Sequence, residues 1–273
     1  MSELPNYVWE YLDEIARDEG FSNYTKEVGA GSSIGDNFQG IMVKIVLNGD
    51  RDRDGEVHPD QLSFVLKLPP TDVDRLKEFR ILYTFAREVH FYNNVFPVFA
   101  KFQKERGLSE EDGFFAYPKC YKAEADEQTG RYVIIMEDLR STGFSMWPKE
   151  EMTAVDHMEM ILSQIAKFHA VSFALRDQKP EIFEEFKKLT DVIIGAYCSP
   201  KILQLMWRSL ERTIDALDDE GHKDIVRNVK ANLVQVHTRC VNEALYEPFG
   251  VLTHGDFWIN NMMFLYEARV SDT

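Results

Sequence analysis

Between residues 5 and 19 the apolar side chains Tyr7, Val8, Tyr11, Leu12 and Ile15 recur at helical spacing with acidic residues between them, which predicts a short amphipathic helix. A glycine-containing stretch from Gly29 to Gly40 then gives way to the β-rich run Ile41 to Leu47, so a hairpin is expected there. Asn48 to Asp60 is charged, contains Gly49, Gly55 and Pro59, and reads as a loop before a strand from Leu62 to Leu68 that Pro69 and Pro70 stop. From Val73 to Phe102 the residues Ile81, Phe85, Val89, Tyr92 and Phe96 fit a helix with one buried face, and Glu78 and Glu88 lie on it. Tyr132 to Met136 forms another strand, running into Glu137-Asp138-Leu139 and a loop with Gly143 and Pro148. Two helical stripes follow, Met158, Ile161, Leu162, Ile165 and Phe168, then Ile225, Val229, Leu233, Val236 and Cys240.

A strand-rich first half and a helix-rich second half predict an α+β fold in two lobes, divided into 1–138 and 139–273. Charge narrows the partners. Forty-six acidic against thirty-one basic residues give a formal net charge of -15, which repels phosphodiester backbones and anionic headgroups. Nucleic-acid and membrane partners are therefore not expected. The three cysteines, Cys120, Cys198 and Cys240, form no Cys-x-x-Cys motif, and the start of the chain has no basic and apolar leader. A cytoplasmic protein is the expectation.

The most specific chemical feature is His254-Gly255-Asp256-Phe257-Trp258-Ile259-Asn260-Asn261, because His-x-Asp followed five residues later by Asn matches the catalytic loop of a kinase. Phosphoryl transfer needs a carboxylate to orient and deprotonate the attacking hydroxyl, and a neutral oxygen ligand for magnesium across a tight loop. Asp256 and Asn261 fit those roles, with His254 beside them in the catalytic set. The bland alternative is a buried turn with a satisfied histidine and an N-capping aspartate. Lys67, within an apolar strand, matches the lysine that neutralises nucleotide phosphates, and Glu88, preferred over Glu78, is its expected partner. A solvated edge lysine is the competing reading.

The loop carrying Ser33, Gly35 and Asn37 is expected to close over phosphates through backbone N–H groups, although an ordinary hairpin turn explains the same glycines. His169 is read as a helix-packing residue with no chemical role, and the cysteines as small buried hydrophobes.

Together these segments resemble the ecdysteroid kinase-like family, also called the CHK kinase-like group. The resemblance runs through Gly35-Asp36-Asn37-Phe38, Val65-Leu66-Lys67, Glu88-Val89-His90-Phe91-Tyr92, Met136-Glu137-Asp138-Leu139, Ala166 to Ser172, and His254 to Phe264. It implies a protein-kinase-like fold similar to aminoglycoside phosphotransferases and choline kinases, with ATP and Mg2+ as cofactors. The backbone from Glu137 to Leu139 is then expected to contact adenine, and the acceptor to be a small-molecule alcohol such as an ecdysteroid or a foreign hydroxylated compound. Family members continue into an Asp-Phe-Gln motif whose aspartate binds magnesium, whereas Thr273 follows Asp272 here. The expectation is a helical lobe that is truncated. The alternative function is a catalytically impaired kinase-like protein that binds nucleotide or a partner without turnover.

Overall fold

A computed structural model describes residues 4–31, 40–148, 151, 153–187, 200–240, 242, 245 and 247–266. They divide into two compact units, one made of Met1–Thr71, Phe85–Val171 and Thr253–Thr273, the other of Asp72–Thr84 and Ser172–Leu252. The fold is mixed α+β, with an antiparallel sheet in the N-terminal part and helices towards the C-terminal part.

The first unit is built on a five-stranded sheet in the order β1 (Phe21–Ala30), β2 (Ile41–Arg53), β3 (Glu56–Leu68), β5 (Arg131–Glu137), β4 (Cys120–Asp126). Register explains its two faces. Val43 lies opposite Leu66 and Ile45 opposite Phe64, so alternation along each strand sends Val43, Ile45, Leu47, Phe64, Leu66, Val133 and Ile135 to one side. Helix α1 (Asn6–Asp18) closes that side with Val8, Leu12 and Ile15. On the opposite face Met42 faces Lys67 and Lys44 faces Val65, while Lys67 also pairs with Ile134 and Val65 with Met136. Two lysines thus share one sheet face.

Helix α3 (Ile81–His90) begins in the second unit and enters the first, where Phe85 packs edge-on against Tyr132. A π turn (Phe91–Val95) joins it to α4 (Phe96–Lys104), and the buried Tyr92 hydroxyl meets the Met136 sulfur at 3.1 Å. The single helix expected from Val73 to Phe102 is therefore broken. A short helix α2 (Val73–Glu78), capped by Asp72, ends before Arg80, whose φ of +48° leaves the right-handed helical region.

The loop expected from Asn48 to Asp60 is instead the far end of the β2–β3 hairpin, whose pairing continues to Arg53 opposite Glu56. Asp54 and Gly55 turn the chain with φ of +56° and +87°, the paired positive values of a tight hairpin turn. Arg51 and Arg53 both reach Asp60, so the charged composition that resembled a loop is cross-strand pairing. Pro59 is tolerated because β3 pairs with β5 only from Phe64 onward and leaves its outer edge open there. The hairpin expected at Gly29 to Gly40 is met by the antiparallel β1–β2 pair, with Ala30 opposite Val43, although the extent of β1 back to Phe21 was not read; β4, at the other edge, was not expected from the pattern.

Leu139–Thr142 forms a 3-10 turn, followed by β6 (Phe144–Ser145), which pairs with β7 (Phe264–Leu265). Helix α5 (Val155–Gln178) starts in the first unit and continues into the second, which also holds α6 (Pro180–Lys187), α7 (Pro200–Ala216), α8 (Glu220–Ala231) and α9 (Leu233–Cys240). The second predicted stripe is split between α8 and α9, with Leu233 buried but Ile225 63% exposed. Among the described residues no helix is long and apolar enough to cross a membrane.

Candidate functional site

Lys67 is the penultimate residue of the predicted strand and of β3, where the sheet pattern turns it away from the α1 core. Glu88, on α3, meets it: Lys67 Nζ donates to Glu88 Oε2 at 2.6 Å, and the side chains are 22% and 33% exposed. Glu78, the competing partner, lies in the second unit and pairs with Lys201 on α7. Gly40, just before β2, packs on the lysine stem, and a Cβ there would come within 3.2 Å of Lys67 Cγ and 3.3 Å of Cε. Ser33, Gly35 and Asn37 lie outside the described residues.

The His254-Gly255-Asp256 turn explains its own composition. Gly255 has φ +80° with open space around its missing side chain, so glycine serves backbone conformation there and not close packing. His254 Nδ1 accepts the Asp256 N–H at 3.2 Å, a contact that assigns the ring proton of the neutral imidazole to Nε2. Neighbouring protein atoms desolvate the imidazole, although the residue keeps an exposed edge, and this burial holds its pKa below the ordinary histidine value. Asp256 and Glu88 pull it upward and Lys67 pushes it down. Desolvation is the largest of these influences and the three charges are smaller. A depressed pKa keeps Nδ1 an acceptor near neutral pH, and the histidine thereby holds the turn.

Asn261 follows in a 3-10 turn (Ile259–Asn261) and folds back onto Asp256. Its Nδ2 donates to the Asp256 backbone carbonyl at 2.9 Å and to Oδ2 at 2.8 Å. This contact leaves the amide oxygen of Asn261 and the other carboxylate oxygen as donors to a cation. Among the described residues no group of three His, Cys, Asp or Glu side chains could hold a metal by itself. An all-oxygen pair of this kind fits Mg2+, which keeps several waters and takes one or two protein ligands together with phosphate oxygens.

After β5 the backbone amides of Glu137 and Asp138 are already donated, to Lys119 O at 2.9 Å and Ser63 O at 3.1 Å. The Glu137 carboxylate accepts the Lys119 N–H at 2.6 Å. The Asp138 carbonyl accepts from Ser141 N–H at 2.9 Å and Oγ at 2.6 Å, and the Leu139 carbonyl accepts from Thr142 Oγ1 at 2.9 Å.

Sequence reasoning assigned nothing to Lys44, to Arg140 or to the side chain of Asp138. Asp138 is 2% exposed, and its Oδ1 accepts the Arg140 N–H, capping the 3-10 turn. Its Oδ2 makes no hydrogen bond and is compensated by Lys44 Nζ at 2.9 Å. Arg140 donates to Gly31 O at 2.5 Å, tying the segment after β5 to the end of β1. The available signal was the strand alternation, which puts Lys44 on the same face as Lys67; the buried aspartate that it meets is distant in sequence.

A model described as the ecdysteroid kinase-like family matches residues 34–273 of this chain. Comparison with curated proteins and with solved structures returned no match.

Proposed function

Because the chain belongs to the ecdysteroid kinase-like family, we propose that it is an ATP-dependent small-molecule kinase that phosphorylates a hydroxyl of an ecdysteroid or another hydroxylated small molecule. The family makes kinase-like phosphotransfer the coarse reading. The finer one is supported by a single observation, that Lys67 on the sheet is held by Glu88 at 2.6 Å, as a phosphate-neutralising lysine needs to be. Such a lysine, together with a solvent-facing aspartate in a His-Gly-Asp turn, is what transfer of a phosphoryl group requires.

In this reading Lys67 neutralises charge on the nucleotide phosphates, and Glu88 keeps its ammonium in place between turnovers. Asp256 accepts the proton of the acceptor hydroxyl as its oxygen bonds to the γ-phosphorus; the bond from that phosphorus to the bridging oxygen breaks, and ADP leaves. Asn261 restrains the Asp256 carboxylate through the contact at 2.8 Å, while His254 sets the turn. Asn261 would hold Mg2+ through its amide oxygen, and the ion would supply charge neutralisation at the phosphates when bound. The Ser33, Gly35 and Asn37 loop and the Glu137 to Leu139 backbone contribute phosphate and adenine contacts in the same proposal. The proposal also includes a two-lobed organisation divided at residue 138 and cytoplasmic action on a small-molecule alcohol without nucleic-acid or membrane partners.

The test is magnesium-dependent ADP release across a panel of hydroxylated small molecules. Asp256→Asn is expected to lower kcat by about 10²- to 10⁴-fold while nucleotide affinity stays nearly constant. Full turnover in Asp256→Asn would remove the base. Nucleotide binding with no turnover on any acceptor would favour the catalytically silent alternative.

A further inference from the structure

The chain that leads into the His254 turn is fastened to a helix that carries no part of the reaction as described above. Along α5, Phe168, Val171, Ser172 and Leu175 form a buried stripe at helical spacing. Three of these are apolar, as a core face requires. Ser172 is not, and it is 0% exposed. A buried hydroxyl costs free energy unless it is paired. Its Oγ accepts the backbone N–H of Leu252 at 2.8 Å.

One helical turn later Arg176, on the same side, takes hold of the same stretch of backbone. Its Nη1 donates to Gly250 O at 3.0 Å, and Nη2 pairs with the Glu247 carboxylate. Lys187 on α6 also reaches Glu247, at 3.2 Å, and Arg176 lies over the Phe183 ring. Residues 247 to 252 are therefore held at a side chain, a carbonyl and an amide. Leu252 is two residues before His254 and four before Asp256. The clamp thus ends at the last residue of the second unit, directly bonded to the stretch that carries the turn.

We propose that Ser172 and Arg176 are positioning residues that fix the backbone feeding the catalytic turn, so that they act on phosphoryl transfer through Asp256 without touching nucleotide or acceptor. The inference rests on the kinase reading for its effect on rate, but not for the anchoring itself. An error of about 1 Å in the placement of a reacting group costs on the order of 10²-fold in rate. Nucleotide grip, by contrast, depends on Lys67 and Glu88, which this clamp does not include.

Backbone amide exchange on the intact chain tests the anchoring directly, in Ser172→Ala and in Ser172→Thr, which keeps the hydroxyl. The Leu252 amide is expected to exchange about tenfold faster in Ser172→Ala, with Leu66 and Ile135 in the sheet unchanged, and to be largely restored in Ser172→Thr. In the same proteins kcat is expected to fall about tenfold in Ser172→Ala with the nucleotide Kd within about twofold of the parent. Arg176→Met, at a partly exposed site, repeats the comparison at residues 250 to 252 should Ser172→Ala fail to fold. Unchanged exchange at Leu252, or an equal acceleration of all amides, overturns the proposal by showing an ordinary core residue. Local acceleration in a parent protein that transfers no phosphate would sustain the anchoring and remove the kinase reading instead.

Discussion

Replacing Glu88 by Gln keeps the shape of the side chain but removes the charge that holds Lys67. At 2.6 Å the pair is in direct contact, and one ion contact near 4 Å at an effective dielectric of about 20 has a gross attraction of about 4 kcal/mol. Most of this is offset. Both groups lose hydration in the contact, and with 22% and 33% of their side chains exposed they remain partly screened. The net coupling expected from a double-mutant cycle of Glu88→Gln and Lys67→Met is about 1–2 kcal/mol, inside the range for residues in contact. Since 1.4 kcal/mol is tenfold in an equilibrium constant, Glu88→Gln should weaken binding of a non-hydrolysable ATP analogue by about tenfold, and Lys67→Met by at least as much. The double variant should be little worse than Lys67→Met, because glutamate has no lysine left to place. Calorimetric titration of the four proteins with the analogue and Mg2+ gives the cycle, and thermal unfolding of the same proteins separates placement from stability. Additivity of the two substitutions within about 0.5 kcal/mol would refute the reasoning, because it would mean that the contact carries no functional coupling.

Two further outcomes follow from the charge environment of the sheet. Burial pushes the Cys120 thiol up to about 11, outweighing a lowering backbone hydrogen bond from Lys122, and Glu88 adds to the rise; iodoacetamide at pH 8 should therefore modify it at least about 100-fold more slowly than an unperturbed thiol, and equal rates would contradict the buried site. For Asp60, partial burial raises the carboxyl, but the Gln61 amide and the Arg51 and Arg53 guanidinium groups together hold its pKa below the ordinary value. A depressed folded-state pKa contributes stability above the unfolded carboxyl pKa, near 4, and that contribution is lost as pH falls through the folded value. Asp60→Asn should thus cost about 0.5–1 kcal/mol at pH 7 and less at pH 3, as read by urea unfolding at the two pH values. An equal loss at both would assign the effect to packing.

How far the sequence reached differs from element to element. The helix at residues 6 to 18 and the strands containing Lys67 and Ile134 were legible because their periodicity is a one-dimensional record of which side faces the core. Asn48 to Asp60 misled because charge and glycine usually mark loops, whereas here arginines and an aspartate pair across a long hairpin. Edge strand β4 and the length of β1 were hidden because neither has a clean buried face, and β1 shifts register between Ser22 and Thr25. The break at Arg80 was invisible because apolar spacing continues through it.

By itself the sequence determined the family and the local form of the His254 turn, since His254, Gly255, Asp256 and Asn261 lie within one short stretch whose hydrogen bonds stay within residues 254 to 261. Only tertiary structure decided which glutamate Lys67 meets, because Glu88 and Glu78 are both compatible with the helical pattern and end in different compact units. It also decided that Lys44 neutralises the buried Asp138 and that Ser172 accepts from Leu252 across 80 residues of chain. The physical reason is the same in each case. A local contact is written in spacing, while the partner of a buried charge or hydroxyl is set by whichever distant segment packing brings within about 3 Å.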